Sequence, residues 1–136
     1  MSVKILLADD HRIMREGLRS LLEKKSDIEV VAEAENGRRT VQLARRLRPD
    51  VVIMDVAMPD MNGIEATRRI NDELPEVKVV ALSVHSDRRF VAGMLSAGAS
   101  GYLLKDCAFE ELEHAIHVTT LNRIYLGNGI ANIVVG

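Results

Sequence analysis

One cysteine in 136 residues, Cys107, excludes an internal disulfide and agrees with a reducing compartment. There is no basic excess: the formal net charge is −2, so the chain has no broad cationic face for gripping nucleic acid. No apolar run approaches the roughly 20 residues that cross a bilayer, and the first residues lead into an apolar strand pattern without a signal-peptide pattern. A cytoplasmic protein without a membrane partner is the expectation. No repeat or low-complexity segment appears. Hydrophobic residues at 47% and charged residues at 28% are the mix of a soluble domain of ordinary size.

Short apolar runs alternate with stretches of helical period. Val3–Ala8, Ile28–Ala34, Val51–Met54, Val77–Leu82 and Gly101–Leu104 read as strands. Ile13, Met14, Leu18, Leu21 and Leu22 recur at helical spacing, as do Val41, Ala44 and Leu47, then Ile64, Thr67 and Ile70. Phe90, Val91, Met94 and Leu95 mark a fourth helix closed by Gly98, and Phe109, Leu112, Ala115, Ile116 and Thr119 a fifth. Pro49 and Pro75 follow helix ends. This (βα)5 alternation predicts an α/β, flavodoxin-like, doubly wound parallel sheet of order 2-1-3-4-5. Residues 1–121 form that unit. Residues 122–136 are set apart as a C-terminal extension, either a short extra helix or the start of a linker.

Polar residues follow directly on four of the runs: Asp9 and Asp10, Asp55, Ser83 and Lys105. Parallel strands bring them to one carboxyl edge, where open α/β sheets bind ligands. Clustered carboxylates suit Mg²⁺, which takes a few carboxylates, waters and phosphate oxygens. A carboxylate is also a nucleophile able to form an aspartyl phosphate. A hydroxyl and an ammonium beside it suit phosphoryl oxygens. Each residue alone has a plainer reading, since an Asp at a strand end usually caps a helix or forms a turn, and Asp9 or Asp10 is a candidate cap for the first helix. The joint pattern favours chemistry. The arginines at 38, 39, 45, 46 and 48 read as a solvated helix face, His114 and His117 as surface histidines, the methionines as core filler, and Cys107 as a small apolar residue.

The motifs LLADDH (6–11), VVIMDVAMPDMNG (51–63), ALSVH (81–85) and GYLLKD (101–106) resemble the receiver domain of two-component response regulators over residues 2–120. The segments DDHRIMREGLRSLL and NRIYLGNGIANIVV resemble the subfamily that carries a LuxR/NarL-type helix-turn-helix. The resemblance implies that Asp55 is the phosphoacceptor, that Asp9, Asp10, Asp55 and the backbone carbonyl of Ala57 serve Mg²⁺, and that Lys105 binds the phosphoryl group. It implies that Ser83 is the hydroxyl switch, that Tyr102 is the aromatic that moves with it, and that Met58, Pro59 and Gly63 shape the loop after the nucleophile. The resemblance also places Ala57 and His85 at the two positions that modulate dephosphorylation in the family, and the expectation is that neutral His85 orients the attacking water.

The implied function is a switch, not an enzyme: it accepts a phosphoryl group from a sensor histidine kinase or a small phosphodonor, and loses it by self-catalysed hydrolysis. The face formed by the fourth helix, fifth strand and fifth helix then repacks, and partner binding or phosphorylation-dependent homodimerisation follows. DNA would be reached only through a C-terminal helix-turn-helix domain that these 136 residues do not contain. A pseudo-receiver or stand-alone interaction module is the alternative. A phosphatase of the aspartyl-phosphate type is disfavoured, since Ala57 stands where such enzymes carry a second acid. Asp106 replaces the proline that often follows the lysine, so a trans Lys105–Asp106 bond is expected, with Asp106 free to cap the last helix.

Overall fold

The computed structural model describes residues 2–135. Strand β1 (Val3–Ala8) leads to α1 (Arg12–Glu23), β2 (Ile28–Ala34) to α2 (Gly37–Leu47), and β3 (Val51–Met54) to α3 (Gly63–Glu73). Then come β4 (Lys78–Ser83), α4 (Arg88–Ser96), β5 (Gly101–Leu104), α5 (Phe109–Thr120), β6 (Tyr125–Leu126) and α6 (Ile130–Val135). The strands form one parallel sheet in the order β2-β1-β3-β4-β5-β6. The expected five-stranded order is present, extended by one short strand at the β5 edge.

Both faces of the sheet are covered, which explains why its central strands are apolar throughout instead of alternating. All four residues of β3 are buried. Leu6, Val52, Met54, Val79, Ala81 and Tyr102 face one way, against Val41 and Ala44 of α2, Ala66 and Ile70 of α3, Val91 and Met94 of α4 and Ile130 of α6. Ile5, Leu7, Val51, Ile53, Val80, Leu82 and Leu103 face the other way, against Leu22 of α1 and Leu112, Ala115 and Ile116 of α5.

Local signals set several boundaries. The Asn36 side chain accepts from Arg39 N–H at 2.8 Å and starts α2, and the Asn62 side chain accepts from Glu65 N–H at 3.0 Å and starts α3. Gly98, at φ 109°, takes the left-handed conformation just past α4. The arginine-rich face of α2 is exposed as expected, and Arg45 grips Glu73 of α3 through two bonds of 2.7 Å each.

Three expectations need correction. Neither Asp9 nor Asp10 caps α1: His11 is the N-cap and makes no side-chain cap bond, while the Asp9 carboxylate accepts from His11 N–H one step ahead of the helix. Asp106 does not cap α5. A turn closed by Cys107 N–H to Leu104 O at 3.0 Å intervenes, and Ala108 is the N-cap. The strand placed at Val77–Leu82 begins and ends one residue later, because Val77 N–H turns back to Leu74 O and Ser83 pairs with Leu104 in the ladder. No cis peptide bond occurs among the described residues, so Lys105–Asp106 is trans.

The segment after α5 is folded onto the domain. Tyr125 N–H donates to Ser100 O and Gly127 N–H to Tyr102 O, both at 2.9 Å, which adds β6 beside β5. Ile130 is then fully buried against the α3–α4 side of the sheet.

Candidate functional site: an acidic pocket at the carboxyl edge

Backbone pairing fixes the strand ends around the site. Asp9 N–H donates to Ala34 O at 3.0 Å, Asp55 N–H to Ala8 O at 2.9 Å, and Lys105 N–H to Ser83 O at 2.9 Å. Asp9 and Asp55 are thereby delivered side by side, 5% and 3% exposed, while Asp10 lies at the rim. The Lys105 ammonium bridges the two buried acids, 2.8 Å from Asp9 Oδ2 and 3.2 Å from Asp55 Oδ2. The Ala57 amide dipole also favours the ionised Asp55 carboxylate.

Glycine makes this closeness possible at Gly63. A Cβ there would stand 2.0 Å from the Asp55 carbonyl oxygen, so only glycine lets the start of α3 lie against the strand end. Gly63 N–H donates to Val56 O at 2.7 Å and closes the loop over Met58 and Pro59. Beside it lies an open depression of about 480 Å³, bordered by Asp10, Val56, Ala57, Met58, Asn62 and Phe90.

Negative charge is in excess in this pocket, and both buried partners respond to it. Burial raises the Asp55 carboxyl above its usual range; Lys105 opposes the rise, and Asp9 adds to it. For Lys105, burial disfavours the ammonium, but the hydrogen bond to Asp9 and the charges of Asp55 and Asp9 outweigh it, so its pKa is raised. One cation among three carboxylates leaves room for another.

The groups present fit a hard divalent cation. Ligand atoms of Asp9, Asp10, His11 and Asp55 all lie within 4.8 Å of one another, and carboxylate oxygens are the donors that Mg²⁺ prefers. His11 was assigned no role from the sequence. Its Nδ1 sits 2.9 Å from Asp9 Oδ1 and 3.3 Å from Asp10 Oδ1. Its position directly after the acidic pair was the available signal.

Ser83 and Tyr102 form a second group. Ser83 is fully buried at the end of β4, and its Oγ accepts from His85 N–H at 3.0 Å. Tyr102 is fully buried too, and its hydroxyl donates to His85 O at 2.6 Å. Burial raises the Tyr102 phenol. The His85 backbone is therefore clasped from both sides, while its ring lies on Phe90 with centroids 4.6 Å apart. Cys107 is half-buried, and burial raises its thiol, which agrees with an unreactive side chain.

Residues 5–117 match the model of the response regulator receiver domain. The chain belongs to that family. Its relatives include the transcriptional regulatory protein DegU of Brevibacillus brevis, 41% identical over 124 residues that cover 91% of this chain and 52% of DegU. LnrK of Bacillus subtilis is 44% identical over 114 residues, 84% of this chain and 52% of LnrK. This receiver thus spans about half the length of these curated relatives. A two-component response regulator of the LuxR family from Aurantimonas sp. SI85-9A1 superposes with a TM-score of 0.93 at 36% identity, covering 99% of this chain and 96% of that one. The receiver domain of the putative regulator NarL from Mycobacterium tuberculosis gives 0.86 at 30% identity, with 90% and 98% covered. The receiver is of the LuxR/NarL type, a signalling switch and not a conventional enzyme.

Proposed function

We propose that this receiver is switched by phosphorylation of Asp55, with the phosphoryl group drawn from the phosphohistidine of a sensor kinase or from a small phosphodonor. The observation that carries the reading is the buried Asp55 carboxylate bridged by Lys105 and faced by Asp9 and Asp10. A carboxylate oxygen of Asp55 attacks phosphorus, and the bond from phosphorus to the donor's nitrogen or oxygen breaks. Asp10, Asp55 and the Ala57 carbonyl would hold Mg²⁺, with Asp9 beside them. Bound there, Mg²⁺ would offset the charge between the acids and the incoming phosphoryl oxygens. Lys105 already spans Asp9 and Asp55, and it exchanges one carboxylate for a phosphoryl oxygen as charge develops.

Ser83 then turns its hydroxyl from the His85 amide to the phosphoryl group. Because the Tyr102 hydroxyl donates to the carbonyl of the same residue, His85, the change reaches β5 and the face formed by α4, β5 and α5. Partner binding or homodimerisation at that face is the output. Control of transcription belongs to a DNA-binding domain elsewhere in the parent protein, toward which residues 122–136 lead, and the setting is the cytoplasm. Ala57 and His85 tune the lifetime of the phosphorylated state.

The experiment is intact-mass spectrometry after treatment with acetyl phosphate, with and without Mg²⁺. One phosphoryl group should appear only with Mg²⁺, and Asp55→Asn should remove it. Labelling that survives Asp55→Asn overturns the assignment. Absence of labelling in the wild type favours the pseudo-receiver.

A further inference from the structure

The acidic pair is not held by its own loop alone. From the first turn of α1, Arg15 sends Nη1 to the Asp9 carbonyl oxygen at 2.6 Å and Nε to Glu33 Oε1 on β2 at 3.1 Å. The other Glu33 oxygen accepts from Arg19 Nη1 at 2.8 Å. The hydrogen bond from Arg19, and then that from Arg15, outweigh burial and hold the Glu33 carboxyl below its usual range. The Arg15 side chain is 13% exposed, and it borders the same small internal space as Asp9, Ile53 and Asp55.

The carbonyl that Arg15 grips belongs to the peptide joining Asp9 to Asp10. Fixing that peptide plane fixes the ψ of Asp9 and the φ of Asp10 together. Those two torsions decide whether the neighbouring carboxylates converge on Asp55 or splay apart. Asp10 lies in a bend between β1 and α1, so the direction of its side chain relative to that of Asp9 depends on how this one peptide is oriented. Glu33 in turn fixes the guanidinium, which has few free rotamers once both edges are bonded.

We infer that Arg15 is a positioning residue for the cation site: with Glu33 it clamps the Asp9–Asp10 peptide, and divalent-cation affinity depends on that clamp. The inference rests on the reading of this pocket as a Mg²⁺ site. Two simpler accounts make different forecasts. If Arg15 only ties α1 to β2, its loss lowers stability and leaves Mg²⁺ affinity unchanged. If it acts only as a nearby positive charge, its loss removes repulsion and Mg²⁺ binds more tightly. Clamping alone makes removal of a cation weaken the binding of another cation.

The test is calorimetric titration of the unphosphorylated 136-residue protein with MgCl₂, with folding checked by circular dichroism. Arg15→Met should weaken Mg²⁺ binding about 10- to 100-fold, the range seen when outer partners of metal ligands are removed. Arg15→Lys should recover part of the loss, and Glu33→Gln should fall between wild type and Arg15→Met. Arg45→Met, which breaks the distant ion pair to Glu73, should leave Mg²⁺ affinity as it was. Unchanged or tighter binding in folded Arg15→Met overturns the inference. Should that variant fail to fold, unchanged affinity in both Arg15→Lys and Glu33→Gln overturns it equally. A wild type that binds no Mg²⁺ overturns the cation-site reading itself, and this inference with it.

Discussion

At the carboxyl edge, charged side chains are buried and each is tied to several partners. Beyond α5, apolar side chains are buried by two short elements with few ties. Asp9 alone bonds His11, Lys105 and the amide before α1, and its backbone is held by β2 and Arg15. By contrast β6 has two residues and α6 six, well below the length at which a helix stands alone. The first region is over-determined, so any displacement there disturbs many bonds at once. The second rests on Ile130, with Leu126 and Ile133 packed beside it, and on the short β5–β6 pairing, so its loss should leave β1 to β5 paired. The two regions meet at Tyr102, whose hydroxyl reaches the His85 loop and whose carbonyl accepts from Gly127. A rigid site thus borders the part of the fold best able to respond to it.

Matched glycine substitutions offer the sharpest way to break this contrast. In Gly63→Ala the new methyl meets the Asp55 carbonyl oxygen at 2.0 Å, and backbone has to move. The cost should be about 3 kcal/mol or more, with slower labelling of Asp55. In Gly127→Ala the methyl meets the Leu103 Cδ2 atom at 2.8 Å, the far end of a side chain that can rotate, and the cost should stay near 1 kcal/mol. Equal losses in urea denaturation would mean that the two regions are equally rigid.

Ile130→Ala comes next. Truncating a fully buried isoleucine removes about 2–5 kcal/mol of packing, but here the loss can be taken up locally. Hydrogen exchange should lose its protection at the Tyr125 and Gly127 amides, while β1, β3 and β4 keep theirs. Global unfolding should change by less than about 1 kcal/mol, whereas Val52→Ala in the sheet centre should show its full cost. A global loss in Ile130→Ala as large as in Val52→Ala would make α6 an integral part of the core.

Asp55→Asn tests the other side of the comparison, the stability that a functional site forgoes. The folded state raises the Asp55 pKa, chiefly through burial, so it binds the proton more tightly than the unfolded chain does. The ionised carboxylate therefore costs stability at neutral pH, and the cost fades as pH falls into the carboxylate range. Lys105 keeps Asp9 as a partner when the Asp55 charge is removed. Asp55→Asn should be more stable at neutral pH by about 1 kcal/mol, with the advantage shrinking in acid. Thermal melts across that range check both the size and the sign, and a variant less stable at neutral pH would mean that the Lys105 bridge outweighs burial.

The same contrast governs what could be read from the chain. The strand runs are continuous and apolar because helices cover both faces, and β1, β2, β3 and β5 fall where those runs do. Asp9, Asp10, Asp55, Ser83 and Lys105 were visible because each follows such a run. Tyr125–Leu126 was not, since two residues carry no period and β6 exists only because the β5 edge is free to pair. The caps expected from Asp9, Asp10 and Asp106 failed for a related reason: two of these acids are drawn into the pocket cluster, and at the third an extra turn intervenes. Arg15 and Glu33 lie 18 positions apart, and only the packing of α1 beside β2 brings them to the Asp9 carbonyl.

The smallest effect is expected at His85, which bonds the Tyr102 hydroxyl at the meeting point of the two regions. Its amide and carbonyl are committed to Ser83 and Tyr102, so a side-chain substitution leaves the clasp intact and isolates the ring. That ring rests on Phe90, which with Asp10 borders the open depression beside the site. If the ring has to leave Phe90 to orient the water that attacks the phosphorylated Asp55, its benefit is bounded by the fraction of time it does so. His85→Ala should slow decay of the phosphorylated protein only about threefold, far below the 10²–10⁴ typical of a general base in contact. Phe90→Leu, which frees the ring, should speed decay, and the double variant should decay like His85→Ala. Faster decay in His85→Ala would instead make the ring a shield over Asp55. Equal rates in all four proteins would leave His85 with its backbone role alone, as the residue whose amide and carbonyl join Ser83 to Tyr102.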